Sequence, residues 1–339
     1  MTRCAALNTG PDFHLLDHIA PLAHLMKMPL LLTEEKNYDL ARRYYPQTTT
    51  HYIPDLEHQL AHLAAEFDAL FECKYWAPHL KRLFLDLHQK HMRLVFCPHG
   101  QSDKGYSTPL LAPYAQQDMV LLYGPLLQEM LRDLNVEATS AVVGNFRLLF
   151  YLQNKPFYDD IAEKEIFSRL PLNKKVLLYA PTWSDADQAT SFFQWAPSLL
   201  SAIPEEWTLL LKIHPLLEQR DPTRYYRIAA LADRPNALLI SEFPPVYPIL
   251  ARADAYLGDY SSVGYDFLFF QRPMFFILNP SLPRGRLHSC GTILDSPRTL
   301  FSEMDKHKNF ADQQTALYTH AFGDNKLDLR RTILDALSH

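Results

Sequence analysis

Residues 253–277, ADAYLGDYSSVGYDFLFFQRPMFFI, constrain the fold of this chain more than any other stretch. Ala255-Tyr256-Leu257 is a short apolar run of the kind that forms a buried strand, and Gly258-Asp259 stops it. Ser261-Ser262 then opens a run that is apolar nearly all round: Val263, Tyr265, Phe267, Leu268, Phe269, Phe270. A serine ahead of such a run signals a helix N-cap, because its hydroxyl satisfies backbone N–H groups orphaned in the first turn. A helix apolar on every side is a buried one. It ends by Arg272, since Pro273 disfavours helical geometry in the residue before it, and 274–278 reads as the next buried strand. Strand, tight turn, buried helix, strand is half of a doubly wound parallel sheet. Hydroxyls and N–H groups at a helix N-terminus, just past a strand's carboxyl end, make an anion site; a plain cap of a core helix has the same spelling.

The same grammar repeats along the chain. In the first half, apolar strands are expected at 28–33, 67–71, 93–96, 119–123 and 140–143, with helices at 39–45, 78–88 and 125–134 between them. A helical, aromatic and charged stretch at 146–168 connects to a second half. There, strands at 175–179, 207–213, 237–240 and 255–257 alternate with helices after Pro222 and at 246–251. At 339 residues the length suits two domains, expected as 1–155 and 156–339. Glycines number 10 against 25 prolines, and neither GxGxxG nor a P-loop occurs. The four cysteines (Cys4, Cys73, Cys97, Cys290) form no CxxC pair, which excludes a disulfide framework or zinc site and fits a reducing cytoplasm. A net charge of −5 argues against nucleic acid. No uncharged stretch reaches the ~18 residues of a membrane span, and there is no signal-peptide pattern; peripheral contact with a membrane surface is the most the sequence supports. His14 and His18 have the i, i+4 spacing of a metal pair, yet no third ligand accompanies them, so with Asp17 they are read as a solvated helix face.

The polar signals share one address. His99, Thr182, His214 and Ser261 each lie just after the carboxyl end of an expected strand, where open parallel sheets bind ligands. Two such domains in tandem, facing across a cleft, are the two-Rossmann architecture known as GT-B. The second half resembles the CDP-glycerol glycerophosphotransferase family, which primes and polymerises teichoic acids. The matching pieces are LLYAPTW at 177–183, LLKIHP at 210–215 and LGDYSSVGYDF at 257–267, with RG at 284–285 and GTIL at 291–294. In the first half, Pro98-His99-Gly100 followed by Lys104 is similar to the family's HG-T-x-x-K segment. The chain departs from that pattern at Gln101 (a threonine is usual), at Ser184 (an arginine often follows PTW) and at Gly258 (a threonine or serine usually precedes DYSS).

The resemblance implies a phosphotransfer in which an acceptor hydroxyl attacks the phosphorus of a CDP-linked polyol and CMP leaves. The acceptor would be a lipid-linked or polymeric cell-surface glycan, and the enzyme cytoplasmic, on the inner face of the membrane. By the same resemblance His99 takes the attacking proton, His214 contacts the diphosphate with Lys212 nearby, and Ser261 and Ser262 hold phosphates. Pro181, Thr182 and Trp183 line the donor site, and no cofactor or metal is required. Asp266 would bind a donor hydroxyl or simply a neighbouring side chain. Arg284 and Arg286, after the 274–278 strand, read as phosphate-neutralising charges. Each residue also has a blander role: His99 an ordinary loop residue, His214 a turn, Asp259 a cap for the following helix, Trp183 core as readily as a stacking surface. Two further functions keep the same cleft logic: a GT-B glycosyltransferase or nucleotide-sugar epimerase, or a non-catalytic nucleotide-binding or scaffold protein.

Overall fold

The computed structural model describes residues 2–103, 111–183, 190–306, 309–323 and 328–338. The chain packs as two units: residues 1–101, 105–153 and 320–339 form the first, and 102–104 with 154–319 the second.

The first unit is built on seven parallel strands: β1 (Cys4–Asn8), β2 (Leu30–Leu32), β3 (Thr50–Tyr52), β4 (Ala69–Glu72), β5 (Arg93–Phe96), β6 (Met119–Leu122) and β7 (Ser140–Val142). Their order is β3-β2-β1-β4-β5-β6-β7. The chain therefore winds outward from β1, then returns to β1's other side at β4. That reversal is a topological switch point, where the carboxyl ends of neighbouring strands diverge. Strands β4 and β6 are buried along their whole length and β1 at all but its first residue, as expected of a parallel sheet covered on both faces. Strand β1, the pivot, reads CAALN; two alanines in five residues gave no apolar-run signal, and the sequence expectation began only at 28.

The second unit repeats the scheme with β8 (Lys175–Tyr179), β9 (Trp207–Lys212), β10 (Ala237–Ile240), β11 (Ala255–Gly258), β12 (Met274–Ile277) and β13 (Thr292–Leu294). The order is β10-β9-β8-β11-β12-β13, so the switch lies between β8 and β11. Tyr179, Phe192, Leu199, Leu209, Leu211, Leu257 and Phe275 form a fully buried core beneath it.

Two helical expectations change. The stretch at 146–168 is not continuous: it divides into Phe146–Gln153 and Lys155–Glu165, the second starting with proline in its first turn. The run after Ser261-Ser262 is an α-helix only over Val263–Phe267, then a 3₁₀ turn over Leu268–Phe270 that ends at Gln271 with φ 51°. Ser262 occupies the N-cap position, yet its hydroxyl makes no capping bond. Backbone carbonyls serve instead: Gly264 N–H bonds to Ser261 O and Tyr265 N–H to Ser262 O, at 3.2 and 3.0 Å. The helix is held by burial, with Phe267 stacked on Tyr256 at 5.4 Å between ring centroids.

Candidate functional site

The second unit's switch point is closed by one carboxylate. Asp259, directly after β11, is buried. Its Oδ1 accepts the Thr182 N–H at 2.8 Å, and its Oδ2 accepts the Ser191 N–H and hydroxyl, each at 2.8 Å. Because Ser191 gives its only hydroxyl proton to Asp259, the Tyr179 hydroxyl, 2.8 Å away, donates to Ser191. A buried charge is tolerated only when hydrogen bonded, and donors to a carboxylate are among the strongest. Asp259 therefore fastens the turn after β8 to the turn after β11. The sequence reading made it a cap of the next helix; instead it looks across to the neighbouring strand.

Two side chains that no motif announced support this turn. His288 accepts the Gly285 N–H on Nδ1 at 2.9 Å, so Nε2 carries the proton and donates to the Asp259 carbonyl at 3.0 Å. Burial pushes its pKa below the ordinary histidine value, and the neutral ring sits edge-on to Tyr260 at 4.7 Å. Asp103 accepts the Tyr265 hydroxyl at 2.7 Å on one oxygen and the Leu287 N–H at 3.0 Å on the other. A Cβ at Gly285 would lie 2.3 Å from Asp103 Oδ2, which is why the Arg-Gly pair needs its glycine. At Gly258 a Cβ would fall 2.1 Å from the Tyr256 hydroxyl. Tyr256 fills the space that a side chain at 258 would take, and its hydroxyl bonds Ser261.

Around this frame the structure places the expected donor-side residues. Pro181 and Thr182 are buried, and Trp183 is half-buried with an edge against the core. Lys212, the last residue of β9, is half-buried. His214 caps the helix Pro215–Arg220, its Nδ1 accepting the Leu216 N–H at 3.2 Å. That bond leaves the other ring nitrogen, Nε2, to carry the proton as a donor. The Trp183 and His214 rings lie 6.1 Å apart at 33°, so the loops after β8 and β9 meet. Ser261 is buried and Ser262 half-buried. Asp266 is buried and accepts the Tyr247 hydroxyl at 2.8 Å; Arg284 is exposed on the loop after β12.

In the first unit, His99 stands exposed after β5, on a turn whose Gly100 has φ 102°, a conformation glycine adopts without strain. Its ring is met edge-on by His14 at 6.4 Å and His18 at 6.2 Å. These two are not a solvated face. His18 is buried with Nδ1 2.8 Å from the Tyr123 hydroxyl, and Asp17 is buried in an ion pair with Arg147 while accepting from Tyr45 at 3.0 Å. Burial, then the positive charge of Arg147 and the neighbouring imidazoles, push the His18 pKa well below its ordinary value. The partners that bury this face come from elsewhere in the chain, Tyr123 and Arg147 from more than a hundred residues away. Among the described residues no group of His, Cys, Asp or Glu is arranged to hold a metal ion. Lys104 and Ser184 lie outside the described residues.

Comparison with known proteins agrees with the motifs. Residues 152–280 match the model of the CDP-glycerol:poly(glycerophosphate) glycerophosphotransferase family. Among curated proteins, the chain is 29% identical over 116 residues to the teichoic acid glycerol-phosphate transferase of Staphylococcus aureus, covering 32% of this chain and 27% of that one. It is 28% identical over 123 residues to the teichoic acid glycerol-phosphate primase of Bacillus subtilis, covering 36% and 30%. These alignments span less than a third of either relative. A longer match, 22% identical over 282 residues, is to the teichoic acid poly(glycerol phosphate) polymerase of Bacillus spizizenii, covering 76% and 67%. Among solved structures, a variant of the wall teichoic acid polymerase TagF superposes with a TM-score of 0.68 at 17% identity, covering 99% of this chain and 90% of that one. The S. aureus MnaA–UDP structure does so at 0.65 and 12%, covering 100% and 98%. Both likenesses establish the fold, an α/β GT-B type with two Rossmann-like units. Residues 152–280 of this chain are thus similar to the CDP-glycerol glycerophosphotransferase family.

Proposed function

We propose that the chain transfers a polyol phosphate, glycerol phosphate above all, from a CDP-linked donor to a hydroxyl of a cell-envelope glycan, lipid-linked or polymeric, releasing CMP. The observation that carries this reading is the Asp259 clamp, which gathers Thr182, Trp183, His214 and Ser261-Ser262 around the switch point of the family-matching unit. In the reaction the acceptor oxygen bonds to the glycerol-linked phosphorus while that phosphorus's bond to the bridging oxygen breaks, and the bridging oxygen leaves with CMP. Such a transfer asks chiefly for positioning and for stabilisation of charge on the phosphoryl oxygens. His214, with Nδ1 held by a backbone N–H, presents an N–H donor to a phosphate oxygen. Lys212 and the Ser261-Ser262 turn supply further positive potential. His99 takes the acceptor's proton, and its surface position leaves it accessible to a hydroxyl. The enzyme works in the cytoplasm at the inner face of the membrane. None of its described helices is long and apolar enough to cross a membrane.

Incubation with CDP-glycerol and CDP-ribitol, with separation of the released nucleotide, tests the assignment. CMP is expected from the CDP-polyols; in parallel incubations with nucleotide sugars, release of a nucleoside diphosphate overturns the assignment in favour of glycosyl transfer. His99→Ala is expected to slow single-turnover chemistry by about 10²- to 10⁴-fold with donor Kd unchanged. His214→Ala should weaken donor binding and slow the chemistry together. A His99→Ala enzyme within about tenfold of wild type removes that histidine as the base.

A further inference from the structure

The Trp183 ring carries a cation that no motif assigned. The Arg220 guanidinium carbon lies 4.5 Å from the ring centroid, and His214 flanks the same ring at 6.1 Å. Both partners come from one short helix: His214 is its N-cap and Arg220 its last residue. Pro215 at the helix start and the His214 cap bond fix where that helix begins, and Leu217, fully buried, fixes which side faces the core. The helix therefore delivers an imidazole and a guanidinium to one loop residue. A guanidinium stacked on an indole keeps its N–H donors in a fan around its edge and loses little freedom when they engage an anion. Its planar fork matches two phosphate oxygens at once, which an ammonium cannot do.

We propose that Arg220 is a ligand for the donor's diphosphate, aimed by its stack on Trp183. This rests on the function proposed above. The related family pattern puts an arginine directly after the tryptophan, where this chain has Ser184; here the guanidinium reaches the tryptophan from the helix after β9. Trp183 then acts as the platform for the arginine, and its Arg220-covered face is not a stacking surface for cytosine. The unit holds an internal control, since Arg224 lies over Phe193 at 4.3 Å in a similar cation–aromatic pair on the next helix.

Titration of the full chain with CDP, cytidine and inorganic pyrophosphate tests this, with melting curves for each variant. Arg220→Gln is expected to weaken CDP and pyrophosphate by about tenfold to a hundredfold, the range for a lost hydrogen bond to a charged group. Cytidine affinity should hold, Arg220→Lys should recover part of the loss, and Arg224→Gln should leave all three ligands unchanged. A folded Arg220→Gln protein that binds CDP and pyrophosphate like wild type overturns the proposal. So does an equal loss for CDP and cytidine, which would mean the stack only shapes the loop. Wild type that binds pyrophosphate but no cytidine nucleotide overturns the proposed function instead, and the arginine's role is then read from pyrophosphate alone.

Discussion

Each unit closes its switch point with a buried carboxylate, and the two do so to opposite ends. In the second, Asp259 after β11 takes three donors from the turns after β8. In the first, Glu72 at the end of β4 takes the N–H of Thr9, just after β1, at 3.2 Å, together with that residue's hydroxyl. The strands correspond, β1 with β8 and β4 with β11, so the same clamp sits at the same place in the winding. What surrounds it differs. In the first unit Lys74 donates to the Thr9 carbonyl at 2.5 Å and pairs with Asp12 at 2.8 Å, while Asn37 bonds Asn8 and the Gly10 carbonyl. That switch point is filled by its own polar groups. In the second the surrounding cations and donors, Lys212, His214 and Arg220, are partly or fully exposed. A shared clamp thus builds the scaffold twice, with different side chains beside it, and the phosphate site proposed above lies beside the second copy.

If that contrast is right, Asp259→Asn is the most damaging single change. The amide offers one acceptor, and its NH₂ would face the Ser191 N–H and hydroxyl. We expect a loss of about 3 kcal/mol in urea unfolding, within the range for disrupting a buried, fully bonded charge. CDP affinity should fall with it, because the Thr182–Trp183 turn loses its anchor. Glu72→Gln is the matched test. Burial raises the Glu72 pKa against the opposing hydrogen bonds from Thr9 and the charge of Lys74, so its ionised form is partly strained. Glutamine keeps an acceptor for Thr9 without a desolvated charge. The expected cost is about 1 kcal/mol or less, with CDP binding unchanged. Equal costs for the two substitutions, or a nucleotide effect from Glu72→Gln, would erase the distinction.

The legible and illegible parts of the chain divide along a physical line. Strands β5, β8 and β10 and the helix Pro78–His88 fall where apolar runs and Pro-first turns put them, since those signals are local. Asp221 caps the helix that follows Pro222, accepting the Arg224 N–H at 3.0 Å. The alternation was enough to give the two parallel sheets, while the family resemblance rested on the motifs at 177–183, 210–215 and 257–267. The roles of Asp259, His288, Asp103 and Arg220 were not legible, because each is defined by a partner brought near only by folding. Asp259 and Thr182 are 77 positions apart, and Asp103 and Leu287 are 184. Aspartate before a serine pair reads as a cap in any sequence; only the neighbouring strand makes it a clamp. Similarly, His14 and His18 read as surface because histidines at i, i+4 on a polar face normally are. His99 and Tyr123, far along the chain, cover them.

The smallest predicted effect sharpens the comparison through the two buried histidines. His288 in the second unit has a backbone partner on each nitrogen, and the nearby Asp103 and Asp259 charges partly offset its burial. His18 in the first is buried beside the Arg147 cation and two other imidazoles, all of which oppose its protonation. Its folded pKa lies well below the ordinary 6.5, and the sign of the effect follows. Above about pH 6.5 neither the folded nor the unfolded chain holds this proton, and stability is indifferent to it. Below that, the unfolded chain binds a proton that the folded chain refuses, so stability falls as pH falls, by at most about 1.4 kcal/mol per pH unit for one proton. The decline continues until the depressed folded pKa is reached. Urea unfolding between pH 8 and pH 5 should therefore show a slope that His18→Gln flattens, whereas His288→Gln flattens it less. His18→Gln retains a polar contact for the Tyr123 hydroxyl, so a variant folded at pH 8 is expected. An unchanged slope in His18→Gln would mean that the imidazole takes its proton as readily in the folded chain as in the unfolded one, and that burial does not hold the first unit's histidine cluster neutral.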